Sequence, residues 1–428
     1  MLPLRTPKLR RAAAALAFIL TASGLIGSAT AASAPAGRLS TRPWFTSWAQ
    51  SQQNLAPTPL RDQTVRMITH LSQGGHALRI RIQNTFGTTP LTLDAATVGL
   101  SRRNAEIGGA VRAVTFSGRH LVVVPPGGEV WSDPAALVTR PQDDVAVSLS
   151  VSGTVTPGRH TNAFRTNYLT PAGAGDHTSD VSGAAYTERV DSTYLVSAVD
   201  VRNPTLKGTT VAFGSSVVDG NGSTNCGPGC TETGTNRRWP DDLARRITTE
   251  LPRNRQLAVA NAGIAGTASA AVCPGTPAAA IGLDAAARLD RDVLALHGVT
   301  GVLYYYGTND LAYGCDAAQI LRSYHEVFQR LHAAGIKVYV TPITSRPGYT
   351  DQNNLDRYTV GTYVRKWNNC AGTCDGVTDF DQVLKDPLKP NNINRAYDTG
   401  DGIHANIAGQ QALADFVSLP MLSSSAAR

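Results

Sequence analysis

The chain has 428 residues, long for one domain, and carries a formal net charge of +7 with 17% charged and 42% hydrophobic residues. Four of its cations, Arg5, Lys8, Arg10 and Arg11, stand in the first 31 residues, which hold no Asp or Glu. Taking those four from seven leaves +3 on the remainder. That is too little for the clustered basic face that nucleic acid requires, so nucleic acid is excluded as a partner.

The same cations open the first predicted element. They precede an apolar run from Ala12 to about Ile26 and the small-residue stretch Ser28-Ala29-Thr30-Ala31-Ala32. Charged, apolar, small is the order of a secretory signal peptide, here expected over 1–31. The run is shorter than the roughly 20 residues that span a bilayer, and no later stretch reaches that length. A secreted chain without a stable membrane anchor is therefore expected.

From about 40 to 200 the texture is that of β-structure. Leu78, Ile80 and Ile82 alternate with Arg79, Arg81 and Gln83, the period of a strand with one wet face. Val145, Val147, Leu149 and Val151 alternate with Ala146, Ser148 and Ser150 in the same way, as do Leu91 and Leu93 with Thr92 and Asp94. Turn residues such as Gly74-Gly75 and Pro125-Pro126-Gly127-Gly128 separate these runs. An antiparallel, sandwich-like domain is predicted. Trp44, Trp48 and Trp131 belong either to its core and contacts or to a sugar-stacking surface.

From 201 to 428 the rhythm becomes strand, loop, helix. Strands are expected at 209–213, 257–260, 299–305, 336–341 and 377–380. Helices are expected at 239–251, 278–296, 317–334, 357–368 and 407–419. This alternation is the mark of a parallel sheet covered by helices, in which ligands collect at the carboxyl ends of the strands. Ser216, Gly266 and Asn309 each follow a predicted strand, so all three should meet on that edge.

Their chemistry forms a set. A serine hydroxyl needs a base to take its proton, and an imidazole, which titrates near neutrality, suits that role at His404. Asp401 lies three residues earlier, so in a helical turn it would share a face with His404 and could hold its tautomer. An oxyanion would find donors in the N–H groups of Ser216 and Gly266 and in the Asn309 amide. Taken singly, Gly214-Ser215-Ser216 is a loop, Gly263 and Gly266 permit a turn, and Asn309-Asp310 caps a helix. Their ordered occurrence favours a site. No metal and no cofactor enter this scheme.

Six cysteines, Cys226, Cys230, Cys273, Cys315, Cys370 and Cys374, lie in the second half. An even count in an exported chain favours disulfides, although sequence alone leaves the connectivity open. Local pairing within each Cys-x3-Cys would leave Cys273 with Cys315. The competing reading is a zinc site built from the two Cys-x3-Cys pairs. The stretch 221–235, with two of the cysteines, is either a lip of the pocket or a stapled surface loop.

Over roughly residues 205–420 the chain resembles the SGNH, or GDSL-type, esterases and lipases. The blocks that carry the resemblance are Phe213-Gly214-Ser215-Ser216 with Asp219-Gly220, then Asn261-Ala262-Gly263-Ile264-Ala265-Gly266, Gly307-Thr308-Asn309-Asp310, and Asp401-Gly402-Ile403-His404. The resemblance implies an α/β fold, a Ser216 nucleophile, an Asp401–His404 pair and oxyanion donors at Ser216, Gly266 and Asn309. It departs at Ser215, where the family has aspartate, and at Ala405, where proline often follows the histidine. The β-rich half, with Trp44–Trp48 and the Asn84-Thr85-Phe86-Gly87 turn, is similar to the extension found on many secreted bacterial members. A monomer acting on a small-molecule, lipid or acylated-carbohydrate ester is the expectation. The alternatives are a catalytically impaired glycan- or surface-binding protein of the same fold and an acyltransferase using the same triad.

Overall fold

The strand–helix alternation closes into one five-stranded sheet, all parallel, in the order Ala258–Gly263, Thr209–Gly214, Val299–Tyr305, Lys337–Val340, Gly376–Val377. A computed structural model describes residues 43–424, so the predicted signal peptide lies outside the described residues. Gly214 pairs with both Gly263 and Tyr305, which brings the carboxyl ends of the three strands flush. The strand order reverses beside Thr209–Gly214, and such a reversal opens a crevice at the carboxyl edge of a doubly wound sheet.

Period-two alternation feeds a core on each face of this sheet. Val211 and Phe213 point to one side, with Tyr304, Tyr306, Tyr324 and Phe328. Ala212 points to the other, with Trp239, Leu243, Tyr305 and Phe380. Helices cover both sides, among them Trp239–Glu250, Ala317–Ala333, Asp351–Arg365 and Ile407–Phe416. Several predicted elements differ: the helix expected at 357–368 is Asp351–Arg365, and the one expected at 407–419 ends at Phe416. Residues 278–296 are not one helix: a short 3-10 turn ends before Gly282, whose φ is +76°, and Asp284 then caps Ala285–Leu289, which runs on as Asp290–Leu294 with wider turns. The last strand stops at Val377, because Asp379 caps a helix that begins at Phe380.

The preceding residues form two larger antiparallel sheets and two small ones, Thr193–Tyr194 with Gly158–His160 and Asn54–Leu55, and Leu91–Leu93 with Val122–Val124. Of the larger two, one has the order Trp44–Ala49, Val196–Arg202, Leu78–Gln83, Glu129–Trp131. The other, with six strands, is centred on the long pair Leu60–His70 and Asp144–Val155. Val65 faces Leu149 and Met67 faces Val147 across that pair, and Ile80, Ile82 and Val199 join them in the core. The wet faces expected of these strands are covered. Ser148 is buried beneath Arg66, which stacks on Tyr186 at 4.0 Å. Arg81 and Gln83 are buried as well, and Arg81 donates to the Arg291 carbonyl at 2.9 Å. The polar halves of the alternation therefore face other protein, which a period-two pattern cannot distinguish from water.

The β-rich region and the parallel sheet lie within one compact unit. Thr46 N–H and Thr209 Oγ1 both donate to the His297 carbonyl, and Gln73 Nε2 donates to the Leu257 carbonyl. Trp48 is core, while Arg79 and Arg202 each lie 4.6 Å from the ring of Trp44. Trp131 meets Arg79 at 4.9 Å and His297 edge-on.

Candidate active site

Residues from four separate blocks converge at the carboxyl edge of the sheet. Ser216 opens the single helical turn Ser216–Asp219 directly after Gly214 and Ser215. Its Oγ lies 2.8 Å from His404 Nε2, and His404 Nδ1 lies 2.6 Å from Asp401 Oδ2. A carboxylate only accepts, so Nδ1 carries the proton and Nε2 is left to accept from the serine hydroxyl. The sequence had suggested a helical turn for Asp401 and His404. Instead the segment is a non-helical turn in which Asp401 Oδ1 accepts the N–H groups of Ile403 at 2.8 Å and His404 at 2.9 Å. Gly402, at φ +71°, supplies the left-handed step that the turn requires.

Asp401 is half exposed. Burial raises its pKa, but the His404 and Ile403 N–H groups and the imidazole outweigh that and hold it below the ordinary aspartate value. His404 is further braced by an antiparallel bridge between Asp398 and Ala405, with Thr399 N–H donating to the His404 carbonyl at 3.1 Å. Ala405, at the position where the related pattern has proline, is buried in that bridge.

Gly266 stands on the loop after Ala258–Gly263, and Asn309 in the first turn of the short helix Thr308–Ala312 that follows Val299–Tyr305. Gly266 has φ +79°, and its carbonyl accepts from Tyr313 Oη at 2.9 Å. Asn309 is buried and held at both ends of its amide: Nδ2 donates to the Thr267 carbonyl at 2.8 Å, and Oδ1 accepts from Arg346 Nη1 at 3.0 Å. The second Nδ2 hydrogen is left for a ligand. Sequence reasoning missed Arg346; its one signal is a position a few residues past the strand Lys337–Val340.

The turn that Ser216 opens is itself clamped. Asn261 Nδ2 donates to the Val218 carbonyl at 2.7 Å, and Trp239 Nε1 to the Val217 carbonyl at 3.0 Å. Buried Arg288 donates to the Gly214 carbonyl at 2.8 Å and the Ala262 carbonyl at 2.7 Å, and is paired with Asp292. Ser215 contributes its carbonyl to the N–H groups of Val218 and Asp219, and makes no side-chain cap. Backbone and neighbouring side chains thus form the turn without a carboxylate at 215.

Three disulfides join Cys226 to Cys230, Cys273 to Cys315 and Cys370 to Cys374. That is the local pairing expected, and in it every described cysteine sulfur is bonded to another sulfur. Cys273–Cys315 ties the segment after Gly266 to the one after Asn309. The stretch 221–235 starts against the histidine loop, where Gly222 meets the Ala405 carbonyl, and runs through the hairpin of Asn225–Gly227 and Cys230–Thr231 that holds Cys226 and Cys230. Among the described residues no helix is long and apolar enough to cross a membrane.

A doubly wound sheet carrying a Ser–His–Asp chain at its switch point defines an SGNH-type α/β fold. Residues 212–412 match the model of the GDSL-like lipase/acylhydrolase family. Solved structures with a similar fold include a GDSL-like lipase from Bacteroides thetaiotaomicron, 15% identical, with 51% of this chain and 89% of that one covered and a TM-score of 0.37. TesA is 23% identical, with coverages of 51% and 99% and a TM-score of 0.37. The acetyl xylan esterase AlAXEase is 20% identical, with coverages of 49% and 96% and a TM-score of 0.35. No curated protein matches the chain.

Proposed function

We propose that this protein is a secreted serine esterase that cleaves carboxylic esters through an acyl-enzyme. The continuous chain Asp401–His404–Ser216, at 2.6 and 2.8 Å, is the observation that carries this reading. Ser216 Oγ adds to the ester carbonyl as His404 Nε2 takes its proton, and Asp401 stabilises the imidazolium. The carbonyl oxygen becomes an oxyanion that accepts from Ser216 N–H, Gly266 N–H and Asn309 Nδ2. Collapse expels the alcohol with the proton from His404. Water, deprotonated by the same base, then releases the acid and restores Ser216. The first proton moves between Ser216 and His404, already in contact at 2.8 Å, and no metal or cofactor is called on.

The proposed organisation is an export signal over 1–31, a β-rich domain over 40–200 and a hydrolase domain over 201–428. Three disulfides accord with an oxidising destination outside the cell. The test is hydrolysis of a short-chain p-nitrophenyl ester by the wild type and by Ser216→Ala. Turnover that falls by about 10⁴-fold or more in the variant supports the reading. Two well-folded proteins that are both inactive would favour a binding protein, and ester formation with added alcohols would mark an acyltransferase.

A further inference from the structure

The β-rich region reaches beneath the nucleophile turn with one side chain. His160 ends the short strand Gly158–His160, which pairs with Asn54–Leu55 and Thr193–Tyr194. Its imidazole is fully buried between two acceptors: Nδ1 lies 2.8 Å from the Ser51 carbonyl and Nε2 lies 2.9 Å from Asp219 Oδ1. Asp219 closes the turn that Ser216 opens, and is equally buried. Its other oxygen, Oδ2, accepts the N–H of Ala265 at 3.1 Å, one residue before Gly266.

The hydrogen-bond inventory fixes the protonation. A carbonyl can only accept, and so can a carboxylate, so both ring nitrogens donate and His160 is an imidazolium opposite an aspartate. Burial opposes the charge on the ring, and Asp219 outweighs it, so the His160 pKa lies above the ordinary value. Arg238 packs nearby against Gly220, and its own charge is met by Asp241 at 2.9 Å.

We propose that His160 is a positioning residue of the active site: its buried ring fixes Asp219, and Asp219 in turn locks the Ser216 turn to the Ala265–Gly266 loop that supplies the oxyanion donor. The β-rich region is on this account part of the catalytic scaffold. Without His160, Asp219 keeps a buried charge with one partner fewer and turns or takes up a proton, and the distance between Ser216 and Gly266 N–H is no longer set.

This proposal rests on the serine-esterase reading. The experiment compares wild type, His160→Ala and His160→Gln for kcat and KM on p-nitrophenyl acetate, for the rate of labelling by a fluorophosphonate, and for Tm. His160→Ala should lose about 10- to 100-fold in kcat with KM within about threefold, the scale on which small misplacements of catalytic groups act. Labelling should slow in parallel, because the phosphonyl oxygen uses the same donors. His160→Gln, which keeps an N–H for Asp219, should recover part of the loss. If His160→Ala fails to fold, His160→Gln alone decides: kcat reduced several-fold at constant KM supports the proposal, and wild-type kcat overturns it. A folded His160→Ala with lowered Tm but wild-type kcat and labelling also overturns it, since His160 is then only structural. A wild-type protein that neither turns over the ester nor labels at Ser216 overturns the esterase reading, and this proposal with it.

Discussion

At the scale of single residues, the site is a set of acceptors that leaves each donor one direction. Asp401 accepts from two N–H groups and the imidazole, so the His404 tautomer follows from geometry. Asp401→Asn would present an amide that can donate to Nδ1 and favour the wrong tautomer. Its kcat on a short-chain ester should fall by about 10³- to 10⁴-fold with little change in KM. Asn309→Ala should cost about 10²- to 10³-fold in kcat through the lost oxyanion donor, and Arg346→Ala a smaller part of that, because Arg346 orients the amide without facing the oxyanion. These residues were unequally legible. Ser216, Gly266, Asn309 and the Asp401–His404 pair stood out because they recur in one order. Arg346 and His160 carry no local pattern, and only the folded chain brings them to Asn309 and Asp219. Asp401 and His404 meet in a side-chain-capped turn in place of a helical one.

At the scale of elements, strands were read most securely where their apolar residues are buried on both faces. Val211-Ala212-Phe213 is such a run, and truncating Phe213 to Ala should cost about 3–5 kcal/mol, read as a shift in denaturant midpoint. Residues 278–296 were misread because an Ala-rich composition promises a helix, while Gly282 and the Asp284 cap restart the chain. The polar faces of the β-strands were misread because alternation reports chemistry and not what covers it. The disulfide Cys273–Cys315 acts at this scale. It closes a loop over a separation of 42 residues, worth about 4 kcal/mol in the chain-entropy account. The double variant Cys273→Ser, Cys315→Ser should lower Tm and also kcat, since it frees the segments that follow Gly266 and Asn309. The pair Cys226→Ser, Cys230→Ser closes a far shorter loop on a hairpin and should leave kcat near wild type. Equal losses in the two double variants would contradict this.

For the whole molecule, charges buried between the β-rich region and the parallel sheet govern stability against acid. Asp292 is fully buried. Burial raises its pKa, but Arg291 and Arg288 outweigh that and bring it from 3.8 down to about 2. Arg291 also donates to the Gln52 carbonyl at 3.0 Å, which links the pair to the β-rich region. A carboxyl depressed on folding stabilises fully above its unfolded pKa, and that contribution drains away as pH falls through the folded value. Unfolding free energy should therefore drop between about pH 4 and pH 2. Asp292→Asn should flatten that slope while lowering stability at pH 7, because the buried Arg288 and the partly buried Arg291 lose their partner.

The central claim, that Ser216 is the nucleophile of an acyl-enzyme, is tested most directly by peptide mapping after reaction with a fluorophosphonate. The account predicts one adduct on Ser216, in proportion to the loss of esterase activity, and none in Ser216→Ala. Inactivation with the adduct on Ser215 or elsewhere, or full activity in Ser216→Ala, would contradict it.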